Sequence, residues 1–420
     1  MTQLAQGKRP SCRLRGASPI ALTMLFAAPL PASAQEQAQP PAIDADAAAP
    51  ADQVTGQVST PADAAPPKKE SKFHQRFFDD EDGKFDFSNF LAKGGFIPMP
   101  VIVTEPAVKG GFGVVAQFIT MPEDDPRNVT RRMLGGVKTG NGSYGFGYFQ
   151  SGNAIDGLIS YKFGIGHGKI TLDAHPSFLD GPLSYTNKYK YGILGSMLVH
   201  LPDRRFSMGP MIDFRKLQSS VDFANPLPID RDFGRTLTTG AMGFGVHFDS
   251  RDNKMTPTKG VNAYVQGRFN SEAFGSDRTF QTYDADLYAF RPLSPKWRLG
   301  YKAEYSAIRG DFPIYFGPAI NLRGVEAQRY QGSSVFSTEV ELTRQLSPRW
   351  ALLAFGGVGT ASAGDRRLFD DSGAIFAGGA GFRYRIARKL GLDAGIDVAV
   401  GPGGGVFYLQ FGHAWSFGMD

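Results

Sequence analysis

Hydrolases, metal enzymes and nucleotide enzymes hold their reactive groups at short, fixed spacings. In this chain the six histidines (His74, His167, His175, His200, His247, His413) are scattered along the sequence. No G-x-S-x-G elbow, H-E-x-x-H pair or P-loop occurs. "GGFGVV" (110–115) is glycine-rich but opens no helix, so it does not read as a phosphate cradle. The pattern excludes an enzyme with these signatures and implies no cofactor and no metal. What remains is ion pairing. "AINLRGVEAQRYQGSS" (319–334) sets Arg323 beside Gly324, between two alternating runs. One of them, "VFSTEVEL", carries Glu339 and Glu341 on one face. A guanidinium fork engages carboxylates bidentately, and glycine permits close backbone approach.

The elements around that arginine follow from composition. Lys8, Arg9, Arg13 and Arg15 precede an apolar stretch, Ser18–Pro31, and "ASA" (32–34) has the small-x-small form of a cleavage site. Residues 1–34 therefore read as a secretory signal peptide, too short in its apolar part for the ~20 residues of a membrane helix. The only cysteine, Cys12, falls inside it, so no disulfide framework is expected in the mature chain. Without these residues 41 basic side chains stand against 40 acidic ones, which gives no support for a nucleic-acid partner. Mean hydropathy is −0.22. No later segment is apolar for ~18 residues, which leaves a closed β-barrel as the form that could span a membrane.

Residues 35–70, rich in Ala, Pro, Gln and Asp, read as a disordered periplasmic linker. Residues 71–106 mix aromatics with charge and read as an N-terminal periplasmic or plug-like segment. From 107 to 420 the chain alternates with period two. In "LDAGIDVAV" Leu392, Ala394, Ile396, Val398 and Val400 oppose Asp393 and Asp397; in "GFRYRI" Phe382, Tyr384 and Ile386 oppose Arg383 and Arg385. The runs are roughly 10–14 residues, longer than the ~5–6 of a globular strand, and their polar faces mix acids with bases, as a wet lumen requires.

"LSPKW" and "LSPRW" are short turns flanking one long connection, about residues 310–331, the asymmetry of outer-membrane barrels. The spacing predicts an all-β transmembrane antiparallel barrel of about 16 strands. Five strands are expected over 109–175, with Gly110, Gly111 and Gly113 in the first, and five follow the long loop. "TGNGS" (139–143) is expected at the periplasmic end with both termini, "MPEDDPRN" (121–128) outside.

"FGVHFDSRDNKMTPTKGVNAYVQGRF" (244–269), "LRGVEAQRYQG" and the C-terminal "VFYLQFGHAW" resemble, in this order, the BamA/TamA-like bacterial surface-antigen superfamily over residues 95–417. The resemblance implies a barrel whose long sixth external loop folds into the lumen, with tip Leu322-Arg323-Gly324-Val325 and Arg323 facing interior acids. Val325 stands where the family has an aromatic. Glu341 aligns with an interior partner, and Glu339, on the same face, is the compensating acid. The strand motif falls on Phe355, Gly357 and Gly359, with Gly357 where aspartate is common. Gln410, Gly412 and Trp415 fit the C-terminal insertion signal, which implies the barrel assembly machinery as a partner that handles this chain as a client. His413 is expected on the lipid-facing side.

No POTRA module fits between Gln35 and Gly95. The resemblance implies insertion or translocation of proteins or lipid at the outer membrane of a Gram-negative bacterium, through a lateral seam, with unfolded outer-membrane or secreted proteins as clients. The alternative is a passive, porin-like structural barrel in the same bilayer.

Overall fold

The computed structural model describes residues 77–79, 81–88, 95–120, 130–174, 183–221, 234–254, 256–364, 367–388 and 391–415. The expected signal peptide and linker lie outside these residues. The chain forms β1 (Gly95–Val103), β2 (Gly111–Thr120), β3 (Thr130–Thr139), β4 (Tyr144–Ala154), β5 (Ile159–Ala174) and β6 (Leu183–His200). It continues through β7 (Phe206–Val221), β8 (Thr236–Asp249), β9 (Gly260–Asn270), β10 (Phe280–Ser294) and β11 (Trp297–Gly310). After the long loop come β12 (Ser334–Gln345), β13 (Trp350–Ser362), β14 (Ile375–Ala387), β15 (Leu392–Gly401) and β16 (Gly404–Phe411). All belong to one 16-stranded sheet in sequence order, a nearly closed antiparallel barrel, with five strands after the loop as expected.

Burial follows the alternation. In β12 Ser337, Glu339, Glu341 and Thr343 are buried while Val340 and Leu342 are exposed. Phe376 is 68 % exposed, Val400 62 % and Val265 58 %, and the same outward row holds Phe112, Phe244 and Phe407. Water would leave these side chains costly; hydrocarbon solvates them. Toward the end bearing the long loop, buried side chains form an apolar core. Ile170, Leu172, Tyr189, Leu217, Phe280 and Ile308 pack there with Tyr315 and Phe316 of a 3-10 turn, Ile314–Phe316.

Three expectations change in the first third of the chain. The barrel begins at Gly95, inside the segment expected to precede it, and Gly111 and Gly113 belong to β2. Four strands, not five, occupy 109–175, because 159–174 is one strand with a bulge between Gly166 and Gly168. Strand parity then moves "TGNGS" to the end that carries the long loop and the β2–β3 connection to the other. The bonds agree: Asn141 donates to the carbonyl of Ala107, in the β1–β2 turn, at 3.3 Å and to that of Thr171 at 2.8 Å.

The reason β1 reads poorly as a strand is also its physical interest. It pairs with β2 without interruption from Gly95 to Val103, so Pro98 and Pro100, which carry no N–H, stand at positions whose donors direct away from β2. Of the four residues of that set, 96, 98, 100 and 102, two are prolines. That edge faces β16, and among the described residues no pairing joins β1 to β16. Replacing both prolines with valine restores the donors. Amide exchange in β16 should then slow, as measured by mass spectrometry on the reconstituted barrel; unchanged exchange contradicts this account of the seam.

Candidate functional site: a buried arginine between loop and barrel wall

The loop between Gly310 and Ser334 is laid against the wall by polar contacts at its middle. Lys302 of β11 donates to the Asn321 carbonyl at 2.7 Å, and Asn321 reaches Glu304 at 3.0 Å. Ile320, Leu322 and Val325 then bury with Val335 and Ala361. Gly357 and Gly359 make this possible. A Cβ at Gly357 would stand 2.5 Å from the Thr338 carbonyl oxygen and 2.9 Å from Leu322 Cδ2, and one at Gly359 2.5 Å from Ile320 Cγ2. The space at Gly357, where the resemblance implies an aspartate, is thus taken by the loop.

Arg323 sits in the resulting recess, 8 % exposed. Its Nε donates to Glu339 Oε1 at 3.0 Å and its Nη2 to the same oxygen at 2.6 Å. Its Nη1 donates to Asp397 Oδ2 of β15 at 2.7 Å. Glu341 Oε2 lies 2.9 Å from Nη2 as an ion pair without hydrogen-bond alignment. The guanidinium stacks on Phe355, 3.5 Å from the ring centre. Both expected acids are therefore present, and Asp397 takes the role left open at Gly357. Arg383 of β14 also binds Asp397, whose carboxylate fits because Gly381 carries no side chain: a Cβ there would strike Oδ1.

Gly324 has φ +96°, a region open to glycine, and its N–H donates to the Tyr408 hydroxyl of β16 at 3.0 Å. Gly401 removes the Cβ that would meet the Gly324 carbonyl. Val325 is buried with Ile320, Leu322 and Val335, and its N–H closes a turn onto the Leu322 carbonyl.

The C-terminal residues hold a result that sequence alone did not disclose. Gln410 is buried, Gly412 turns at φ +77°, and the chain leaves the strand. Trp415 is 7 % exposed, and its indole N–H donates to Glu339 Oε1 at 2.7 Å, the oxygen that Arg323 uses. Gly300 of β11 gives it room: a Cβ there would lie 2.9 Å from the indole. Tyr288 and Phe290 pack on the ring. His413 is buried beside Phe290 and Arg251, so its expected lipid-facing position is corrected; the turn at Gly412 reverses its face. Asp397, Arg383, Tyr408 and Gly300 went unmarked as site residues. Asp397 did carry a signal, as an acid on the polar face of its alternating run.

Burial sets the magnitude. A pair in a wet lumen is worth ~1–3 kcal/mol, whereas unpairing a buried ion costs about 3–5 kcal/mol. Arg323→Ala should destabilise the barrel by about 3–5 kcal/mol in urea unfolding from detergent, and Arg323→Lys, lacking the fork, should recover less than half. Trp415→Phe keeps the ring packing but removes the indole donor, and should cost about 1.5–3 kcal/mol by the same measurement.

Residues 182–360 match the Omp85 superfamily domain. Among solved structures the chain is similar to BamA from Haemophilus ducreyi lacking POTRA domains 1-3, with 11 % identity, a TM-score of 0.53 and coverage of 76 % of this chain and 69 % of that one. It is similar to CdiB from Escherichia coli, at 11 % identity and TM-score 0.53 over 77 % of this chain and 60 % of that one. CdiB from Acinetobacter baumannii gives 11 %, 0.53, 75 % and 59 %. At such identity the likeness is one of fold. The chain spans about three-fifths of the length of the two CdiB chains. No curated protein sequence matches it.

Proposed function

We propose that this chain, an Omp85-family barrel, is an outer-membrane insertion or translocation factor that works through the β1–β16 seam, with its lumen kept shut by the loop that Arg323 locks. The observation that carries the reading is the pair of margins. The sheet ends at β1 and β16 without a bonded neighbour among the described residues, and β1 lacks two donors on that side. The β16 margin, with no bonded neighbour among the described residues, is a template for another strand, while the two prolines blunt the β1 margin against a permanent ladder. A porin needs the reverse, a sealed wall around an open, polar mouth. Here an apolar core that includes Phe280, Tyr315 and Phe316 lies at the loop-bearing end, which supports a closed lumen.

The clients that fit this reading are unfolded outer-membrane or secreted proteins, or lipid. The chain itself would reach the bilayer as a substrate of the barrel assembly machinery, its termini in the periplasm. No catalytic step is assigned to it, and no nucleic-acid partner. Planar-bilayer recording separates the readings. The wild-type barrel should give small, irregular currents, and Arg323→Ala should enlarge them severalfold. Large, steady steps that ignore the substitution would favour the passive channel.

A further inference from the structure

Residues 77–88 precede the barrel in sequence, yet they are bound to turns near its C-terminal margin. Arg349, in the β12–β13 turn, is 2 % exposed because this segment covers it. Its Nε donates to Asp82 Oδ2 at 2.6 Å, its Nη1 to Asp86 Oδ2 at 2.7 Å and to the Arg385 carbonyl at 3.0 Å. Its Nη2 donates to Asp79 Oδ2 and to Asp82 Oδ1, both at 2.8 Å. Arg388, in the β14–β15 turn, binds Asp79 and reaches Glu81 at 2.6 Å, and its backbone N–H donates to Asp86 at 3.0 Å. The Phe87 N–H donates to the Ile386 carbonyl at 2.7 Å, and its ring packs on Ala387, Leu392 and Ile386. Three aspartates spaced by three and four residues therefore wrap two arginines from two turns.

The chain passes Ser88 and enters β1 at Gly95. Seven residues reach at most ~25 Å, so β1 is leashed to turns on the far side of β15 and β16. At the other end of the seam the long loop touches both margins. Glu105, in the β1–β2 turn, accepts the Ala327 N–H at 3.1 Å, while Tyr408 of β16 accepts that of Gly324. No equivalent contact from the loop is present at the Gly95 end among the described residues.

We propose that residues 77–88 form an ionic strap that fixes β1 to the β12–β13 and β14–β15 turns and limits how far the seam opens at this end. The proposal rests on the reading of β1–β16 as an opening seam. Releasing the strap frees β1 to move with only β2 beside it; engaging it returns β1 to its place at the margin opposite β16. The charges suit a reversible bond. The Arg388 hydrogen bond holds the Asp79 carboxyl at about 2, below its usual 3.8, and hydrogen bonding to Asp82 raises Arg349 above its ordinary value. A depressed carboxyl contributes stability above its unfolded value and loses it as pH falls through the folded one. The strap is therefore intact at pH 5 and loosens as pH drops from 3.8 toward 2.

The test is a distance measurement on the full chain in phospholipid nanodiscs, in a Cys12→Ser background. Spin labels at Ile97→Cys and Leu409→Cys report the strap end, and labels at Val103→Cys and Val406→Cys report the loop end. Combining Arg349→Gln with Arg388→Gln should add a population at the strap end displaced by at least one strand spacing, ~5 Å, while the loop end stays as in wild type. Asp79→Asn, Asp82→Asn and Asp86→Asn together should do the same without altering either turn. Folding of each variant is checked by heat-modifiable migration on gels. Wild-type protein titrated from pH 5 to pH 2 needs no substitution and should widen at the strap end alone. Unchanged strap-end distances in folded variants, or at pH 2, overturn the strap. Such a result leaves the seam reading standing if bilayer currents still grow in Arg323→Ala, whereas large, steady wild-type currents that ignore that substitution sink the seam reading and, with it, the strap's role at the seam.

Discussion

The arrangement depends on one guanidinium held out of water. Arg323 donates to Glu339 and Asp397 and pairs by charge with Glu341, and Glu339 also accepts from Trp415. Each of these groups alone would cost several kcal/mol to bury; together they offset one another and become a geometric specification. Loop, β12, β15 and the C-terminal residues can all be in place only when these five side chains meet. A hydrophobic replacement could be as stable but would lack this condition. That is the physical case for a lock as opposed to a filler.

The lock and the seam belong to one problem. A barrel that opened its wall freely would lose its backbone pairing to lipid, and one that closed by a full ladder would not open at all. Here β1 gives up two donors to proline, and closure is supported by contacts that are not part of the sheet. The loop joins Glu105 on one margin to Tyr408 on the other, and at the opposite end the aspartates that precede β1 in sequence bind Arg349 and Arg388. Such contacts are few and local, and they can be exchanged without melting strands. Backbone ladders cannot.

Much of this was legible in sequence. Period two placed Glu339 and Glu341 on one face, and run length with mixed charge indicated a barrel and not a sandwich. The loop tip came from the resemblance, through its ordered motifs, and not from the Arg323-Gly324 pair alone. What escaped notice depended on closure or on exceptions. Asp397 lies 74 residues from Arg323, and only the curled sheet brings them together. β1 was hidden by Pro98 and Pro100, which are poor strand residues until the strand is known to be an edge. That omission, with β5 divided in two, carried the loop at 139–143 to the wrong end while leaving the total unchanged. Trp415 looked like the end of a strand because the reversal at Gly412 is a backbone event with no side chain to announce it. The aspartates of 77–88 read as a charged tract until Arg349 and Arg388 were seen beneath them.

The central claim is that Arg323 and Asp397, from loop and closing wall, are energetically one unit. A double-mutant cycle of Arg323→Ala and Asp397→Asn, by urea unfolding in detergent, measures this directly. Coupling of about 2 kcal/mol or more is expected; additivity within about 0.5 kcal/mol would contradict the account.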